Sequence, residues 1–423
     1  MTALTPPASG VTPRMLDTDT DTDTGAGGGR WGAVALVSLG FSVLTFSWFL
    51  IVPAFPGVVS AFGLSAGQEA LLISLFFFGY AAAHIPLGFL AAHWGALRVF
   101  NLGLVSLVIV TVVSALAPNY PTLAVARMIG GVAAGAVAGT GFQLGASWVR
   151  PSERKRALGI IGGPGFATGA AVATFLWVYV DRAVGWRTGT LIGAAVCAVA
   201  TAVCTAFLRS PAHVDGLEGG RFTAAGVRRM LGSRDLWALG VGTLGGYGLF
   251  FTISESGPKY AVEHLGVSAT QAGLLSAVVL LAGIPGAIVG GILADRSRRF
   301  VAVAAVPVGI TVIATFFLPF SHGPMTWVVE GVVGFTLLCG FTPVSSAPAE
   351  YDGMRPQDYA IGVGLVVTLA NVGAIIDPLV LSSVGAAAGP RAGWIAIAGI
   401  GAVSWCAYLF AREPRAVSAT SSE

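Results

Sequence analysis

Five ionisable side chains, His84, Arg127, Glu255, Glu330 and Asp377, stand in stretches of sequence otherwise too apolar to hold a charge cheaply. A charge at mid-bilayer costs at least about 2.5–3.5 kcal/mol, so a group kept there is a candidate for binding or moving charge. Arg127 and Glu330 carry opposite signs. A guanidinium facing a carboxylate forms a gate ion pair, an anion site beside an acid that exchanges a proton, or a static pair holding helices in register. Asp377 lies in Ile375-Ile376-Asp377-Pro378-Leu379-Val380, where the cost of burying charge favours a neutral carboxyl. It is a proton-coupling candidate, or a polar hinge residue bonding to backbone freed by Pro378. Glu255, just before Gly257-Pro258, either handles a proton or reaches into water at a helix end. His84 is the side-chain type that titrates near neutral pH, unless it packs as a neutral ring.

The elements that hold these groups come in two copies. Gly63-Leu64-Ser65-Ala66-Gly67-Gln68-Glu69-Ala70-Leu71-Leu72 returns 203 residues later as Gly266-Val267-Ser268-Ala269-Thr270-Gln271-Ala272-Gly273-Leu274-Leu275, identical at six of ten positions. The same shift lays Gly88-Phe89-Leu90-Ala91 on Gly291-Ile292-Leu293-Ala294, Arg127 on Glu330 and Gly131 on Gly334. A long-offset repeat in apolar sequence implies two copies of one membrane bundle with a site between them.

Hydrophobic residues make up 55% of the 423-residue chain and charged residues 10%, with a mean hydropathy of +0.80. Soluble domains carry about 25% charge, so the expected solvent is lipid. Runs near the 20 or so residues that cross about 30 Å of hydrocarbon fall at 31–57, 70–91, 99–118, 122–147, 157–179 and 188–208. A second set falls at 237–257, 270–293, 300–320, 326–347, 359–384 and 393–411. Lipid offers free backbone groups no partner, so every span must be helical. The expected fold is an all-α integral membrane protein, twelve transmembrane helices in two pseudo-twofold-related six-helix bundles. The expected divisions are a disordered cytoplasmic tail at 1–30, a bundle at 31–208, a linker at 209–236, a bundle at 237–411 and a tail at 412–423. With the N-terminus inside, eighteen of the 23 Lys and Arg residues fall on the cytoplasmic side and four on the outer side, a positive-inside bias that places both termini in the cytoplasm. The net charge of +3 therefore reflects topology and points to no nucleic acid. Four cysteines, Cys197, Cys204, Cys339 and Cys406, lack metal-ligand spacing, and no metal or cofactor is expected.

Twelve helices, a central linker and the inner-loop sequence Gly291-Ile292-Leu293-Ala294-Asp295-Arg296-Ser297-Arg298-Arg299 resemble the major facilitator superfamily. Its first-half counterpart, Gly88-Phe89-Leu90-Ala91-Ala92-His93-Trp94-Gly95, has Ala92 in place of the acid. Arg127-x-x-x-Gly131-x-x-x-Gly135 resembles the superfamily's membrane arginine motif, and Gly185-Trp186-Arg187 is echoed by Gly393-Trp394. The His84-Ile85-Pro86-Leu87-Gly88 stretch is distantly similar to nitrate and nitrite porters, in which an arginine holds the place of His84. Ala287, its eighth-span counterpart, is not arginine either, so the porter's anion grip is missing.

The resemblance implies a cavity lined by the first, fourth, seventh and tenth helices, with Arg127 and Glu330 facing one another and Trp48 and Tyr247 as further substrate contacts. The expected proton-coupling set is Asp377, Glu330, Glu255 and His84. At the inner end the glycines Gly88 and Gly291 let helix ends lie close, and Asp295 is expected to meet the positive N-terminus of the fifth helix. Asp295, Arg296 and Arg299 then act as a gate, or serve only as a solvated turn that fixes topology. No nucleotide-binding motif is present, so the expected function is secondary active transport by alternating access rather than catalysis. The expected cargo is a small-molecule substrate, an anion or carboxylate taken up with protons by a monomer in the bacterial inner membrane. The alternative is proton-driven efflux of an amphipathic, drug-like compound, favoured by Phe41, Trp48, Phe49 and Tyr247.

Overall fold

The computed structural model describes residues 26–150, 153–209, 224–297, 299–351 and 359–414. The N-terminal tail before Ala26, most of the linker, Arg298, and the side chains of Ala92 and Lys155 lie outside the described residues. Among the described residues, twelve helices are long and apolar enough to cross a membrane. In chain order they are α1 (Gly29–Phe62), α2 (Ala66–Trp94), α3 (Ala96–Ala115), α4 (Tyr120–Trp148), α5 (Arg156–Val184) and α6 (Trp186–Phe207). The second six are α7 (Arg234–His264), α8 (Ala269–Arg296), α9 (Phe300–Phe317), α10 (Pro324–Ser346), α11 (Tyr359–Ala388) and α12 (Pro390–Trp405). A short helix, Ala224–Leu231, precedes α7 and carries Arg228 and Arg229 in its last turn.

The repeat is visible in how equivalent helices begin. Ser65 and Gln68 close a capping box on α2, and Ser268 and Gln271 close the same box on α8, each pair satisfying two free amides of a helix start. Equivalent glycines also set equivalent packing. A Cβ on Gly131 of α4 would run into the Phe76 carbonyl of α2, and one on Gly334 of α10 into the Val279 carbonyl of α8. Each of those partners is again 203 residues from its mate. Small residues at such crossings let membrane helices touch backbone to backbone.

α1 and α5 show how irregular backbone is satisfied away from water. α5 contains two π-helical turns, Ile161–Gly165 and Val172–Leu176, the first holding Pro164. Such turns break the regular ladder and release carbonyls. Ser42 Oγ of α1 donates to the Gly165 carbonyl at 2.8 Å and Thr45 Oγ1 to the Phe166 carbonyl at 2.8 Å. Both carbonyls, next to the first of these turns, thereby gain partners inside the bundle. Within each half the strongest packing is α2 on α4 and α8 on α10; between halves it is α2 on α11 and α5 on α8.

The close approach of α8 to α10 runs through Gly286 and Gly290, whose Cβ atoms would strike the Phe335 and Cys339 carbonyls. Gly291, expected to serve this purpose, faces only Thr342 Cγ2 at 3.9 Å, an ordinary contact. The helix turns by about 100° per residue, so its neighbour rather than Gly291 itself points at α10. Gly88 lies in the part-buried last third of α2. Asp295, Arg296 and Arg299 are exposed at and just beyond the end of α8.

Candidate functional site

The two halves meet on a pair of rings. Trp48 of α1 and Phe251 of α7 stack with centroids 5.1 Å apart and planes 8° from parallel. They are repeat-mates at the same offset of 203, so the pseudo-twofold axis passes between them. Phe76, Phe77 and Tyr80 of α2 and Phe166 of α5 pack around Trp48, and Tyr247 and Phe250 against Phe251. The rings leave Trp48 1% and Phe251 4% exposed.

Trp48 also joins two of the buried charges. Its indole Nε1 donates to Glu255 Oε1 at 2.9 Å, across the halves. Its carbonyl accepts from Arg127 Nη1 at 3.1 Å, while Arg127 Nε donates to the Leu72 carbonyl at 3.3 Å. The guanidinium lies 4.5 Å above the Phe76 ring, a cation–π seat. Arg127 and Glu255 are near enough to attract one another. One tryptophan thus connects a cation of the first half to an acid of the second.

Further polar links between the halves occur at the end opposite the termini, where α2 and α8 begin. Lys259 of α7 pairs with Glu69 of α2. Ser74 Oγ donates to the Ile375 carbonyl of α11 at 2.7 Å. Arg182 of α5 donates to Thr270 Oγ1 of α8 at 3.3 Å. These links hold that end shut. On the other side of the stack the part-buried His84 and Phe341 approach Tyr80 and Tyr247, with ring centroids 4.5 and 5.1 Å apart. His84 Nδ1 lies 2.7 Å from the Tyr80 carbonyl.

The pairing expected from the sequence is corrected here. Arg127 does not meet Glu330; its nearby acid is Glu255, and its bonds go to carbonyls of its own half. Glu330 turns into the second half, where Oε1 comes within 4.0 Å of the position a Cβ on Gly257 would take. Equivalent positions on symmetry-related helices need not face each other when each side chain tilts into its own bundle. Glu255 does not reach out to water, being 1% exposed. Asp377 is not a hinge residue that bonds freed backbone, because neither of its oxygens has a hydrogen-bond partner; it lies against Gly248 of α7, where a side chain would collide with it. Phe251, Glu69, Lys259 and Ser74 were not singled out from sequence. The 203 offset applied to Trp48 names Phe251 directly; nothing in the sequence pairs Lys259 with Glu69.

Residues 37–360 match the family model described as Major Facilitator Superfamily. A nitrite extrusion protein of Bacillus subtilis is 24% identical over 85% of this chain and 88% of its own. A probable small intestine urate exporter of Homo sapiens is 24% identical over 78% of this chain and 72% of its own. A probable sulfoacetate transporter of Cupriavidus necator is 27% identical over 67% and 70%. Among solved structures, a bacterial homolog of the human lysosomal transporter Spinster, in an inward-facing and unoccupied conformation, superposes with a TM-score of 0.74 at 17% identity, covering 91% of this chain and 98% of that one. The chain belongs to the Major Facilitator Superfamily and is a multi-pass membrane transporter.

Proposed function

We propose that this superfamily member is a proton-coupled secondary transporter of a small organic anion, working by alternating access in the plasma membrane with both termini in the cytoplasm. The observation that carries the reading is the Arg127–Trp48–Glu255 chain on the pseudo-twofold axis. A carboxylate accepting an indole N–H makes a charge-assisted bond, worth about 1.5–3 kcal/mol. Protonating Glu255 weakens that bond and its attraction to Arg127 together. An anion reaching Arg127 competes for the same guanidinium. Proton and anion therefore act on one contact between the halves, which is what coupling requires. A change of about 1.4 kcal/mol shifts a two-state equilibrium tenfold, so this contact alone is strong enough to bias the closed end.

Relatives named for urate, nitrite and sulfoacetate, all anions at neutral pH, support the cargo's charge. The arginine bias supports the orientation, in which the latched end faces outward. Glu255 is assigned the first proton because it alone of the three acids bonds to the other half; Glu330 and Asp377 are assigned later steps. Asp295, Arg296 and Arg299 are assigned to the inner gate, closed in the opposite state.

Efflux of an amphipathic compound is the second reading, favoured by the ring cluster around Trp48 and Phe251. Proteoliposomes carrying opposed pH gradients and a panel of urate, nitrite and sulfoacetate distinguish the two. Anion accumulation on the alkaline side supports symport. Expulsion of hydrophobic cations with no anion movement would overturn it.

A further inference from the structure

Behind Arg127, inside the first bundle, a small cavity lies between α1, α3, α4 and α6. Its room for water centres is about 30 Å³, and one water needs about 10–15 Å³ on that measure, so about two fit. It extends toward the end opposite the termini, where the part-exposed Ser114 near the end of α3 and Trp186 at the start of α6 line it. Arg127 lies about 6 Å deeper than Leu123, one helical turn along α4.

The polar groups around this space are unbalanced in a specific way. Arg127 is 5% exposed, and its Nη2 has no protein partner. The hydroxyl protons are committed elsewhere. Thr111 donates to the Leu107 carbonyl, Ser114 to the Val110 carbonyl and Thr190 to the Trp186 carbonyl, each at 2.7 Å. Ser47, 2.7 Å from Thr111 Oγ1, is then the donor of that pair. Four oxygens are left with lone pairs to offer, opposite one free guanidinium N–H₂. A halide only accepts and would face those lone pairs. A water accepts from Nη2 and donates to the hydroxyl oxygens.

We propose that this crevice is a resident water site that solvates the Arg127 guanidinium from the end opposite the termini while the Trp48–Phe251 stack is closed. The site is separate from the path between the halves, and the assignment stands whether or not the transport reading does. It keeps Arg127 charged without an anion bound in the crevice.

Radiolytic hydroxyl-radical footprinting of the full-length protein in nanodiscs tests this, because resident water generates the radical beside its neighbours. Leu123 and Leu337 are both 0% exposed, so they form a matched pair. Leu123, which lines the crevice, is expected to be oxidised several-fold faster than Leu337, and Thr111→Val with Ser47→Ala is expected to remove most of that excess. Equal rates for the two leucines in the unaltered protein would overturn the proposal, whatever the double variant does. So would a bromide anomalous peak beside Arg127 Nη2 in a bromide-soaked crystal, which would make the crevice an anion site.

Discussion

Trp48 performs two tasks with different atoms, and substitutions can separate them. Its ring stacks on Phe251, and its indole N–H holds Glu255. Trp48→Phe retains a ring and removes the donor, leaving a buried carboxylate oxygen unpaired at a cost of about 1–3 kcal/mol. The closed end is expected to open more readily, read as a longer distance between labels on cysteines placed at Ala66 and Ala269, the first residues of α2 and α8. Arg127→Ala is expected to abolish anion transport. Arg127→Lys is expected to restore little, since an ammonium cannot span the Leu72 and Trp48 carbonyls with a planar fork. Normal transport by either variant contradicts the role given to Arg127. The five ionisable residues were legible from sequence because charge in an apolar run is conspicuous. Their partners were not. Which way Arg127 turns depends on carbonyls at Leu72 and Trp48, and backbone acceptors have no residue code.

At the scale of helices, the repeat makes paired predictions. Gly131→Val and Gly334→Val each force a side chain against a carbonyl of the neighbouring helix. Overpacking of this kind costs about 1–3 kcal/mol, so both should lower the midpoint of thermal unfolding in detergent by similar amounts. Gly139→Ala, whose added Cβ meets nothing within 4 Å, should leave it unchanged or raised. A large drop for one valine variant alone would argue against equivalent packing. The inner end of the second half offers a pH test. Tyr351 donates to the Arg412 carbonyl at 2.7 Å, and burial, with Asp235 and Glu413 nearby, pushes its phenol above the ordinary range. The neutral phenol is the form favoured by folding, so its contribution is full below the ordinary value of about 10 and is lost as pH rises beyond it. Tyr351→Phe should remove that alkaline part of the stability profile. Helix number and the two-bundle plan were readable from composition and the 203 offset. The π turns of α5 were not, because the hydroxyls that reach its backbone there come from Ser42 and Thr45 of a helix more than a hundred residues away in sequence.

At the scale of the whole molecule, the halves are latched at one end by Lys259–Glu69, Ser74–Ile375, Arg182–Thr270 and the ring stack. Opening that end must break all of them, and the central claim is that the protonation state of Glu255 controls the balance. The measurement that tests it needs no substrate. Spin labels are placed at Ala66→Cys and Ala269→Cys, the repeat-related first residues of α2 and α8, after the exposed Cys406 is replaced by serine. Electron–electron distances are then recorded in nanodiscs as pH is lowered. In the otherwise unaltered protein the distance distribution should shift from short to long as pH falls, and in Glu255→Gln it should be long at every pH. A pH-dependent shift that survives intact in Glu255→Gln would contradict the account.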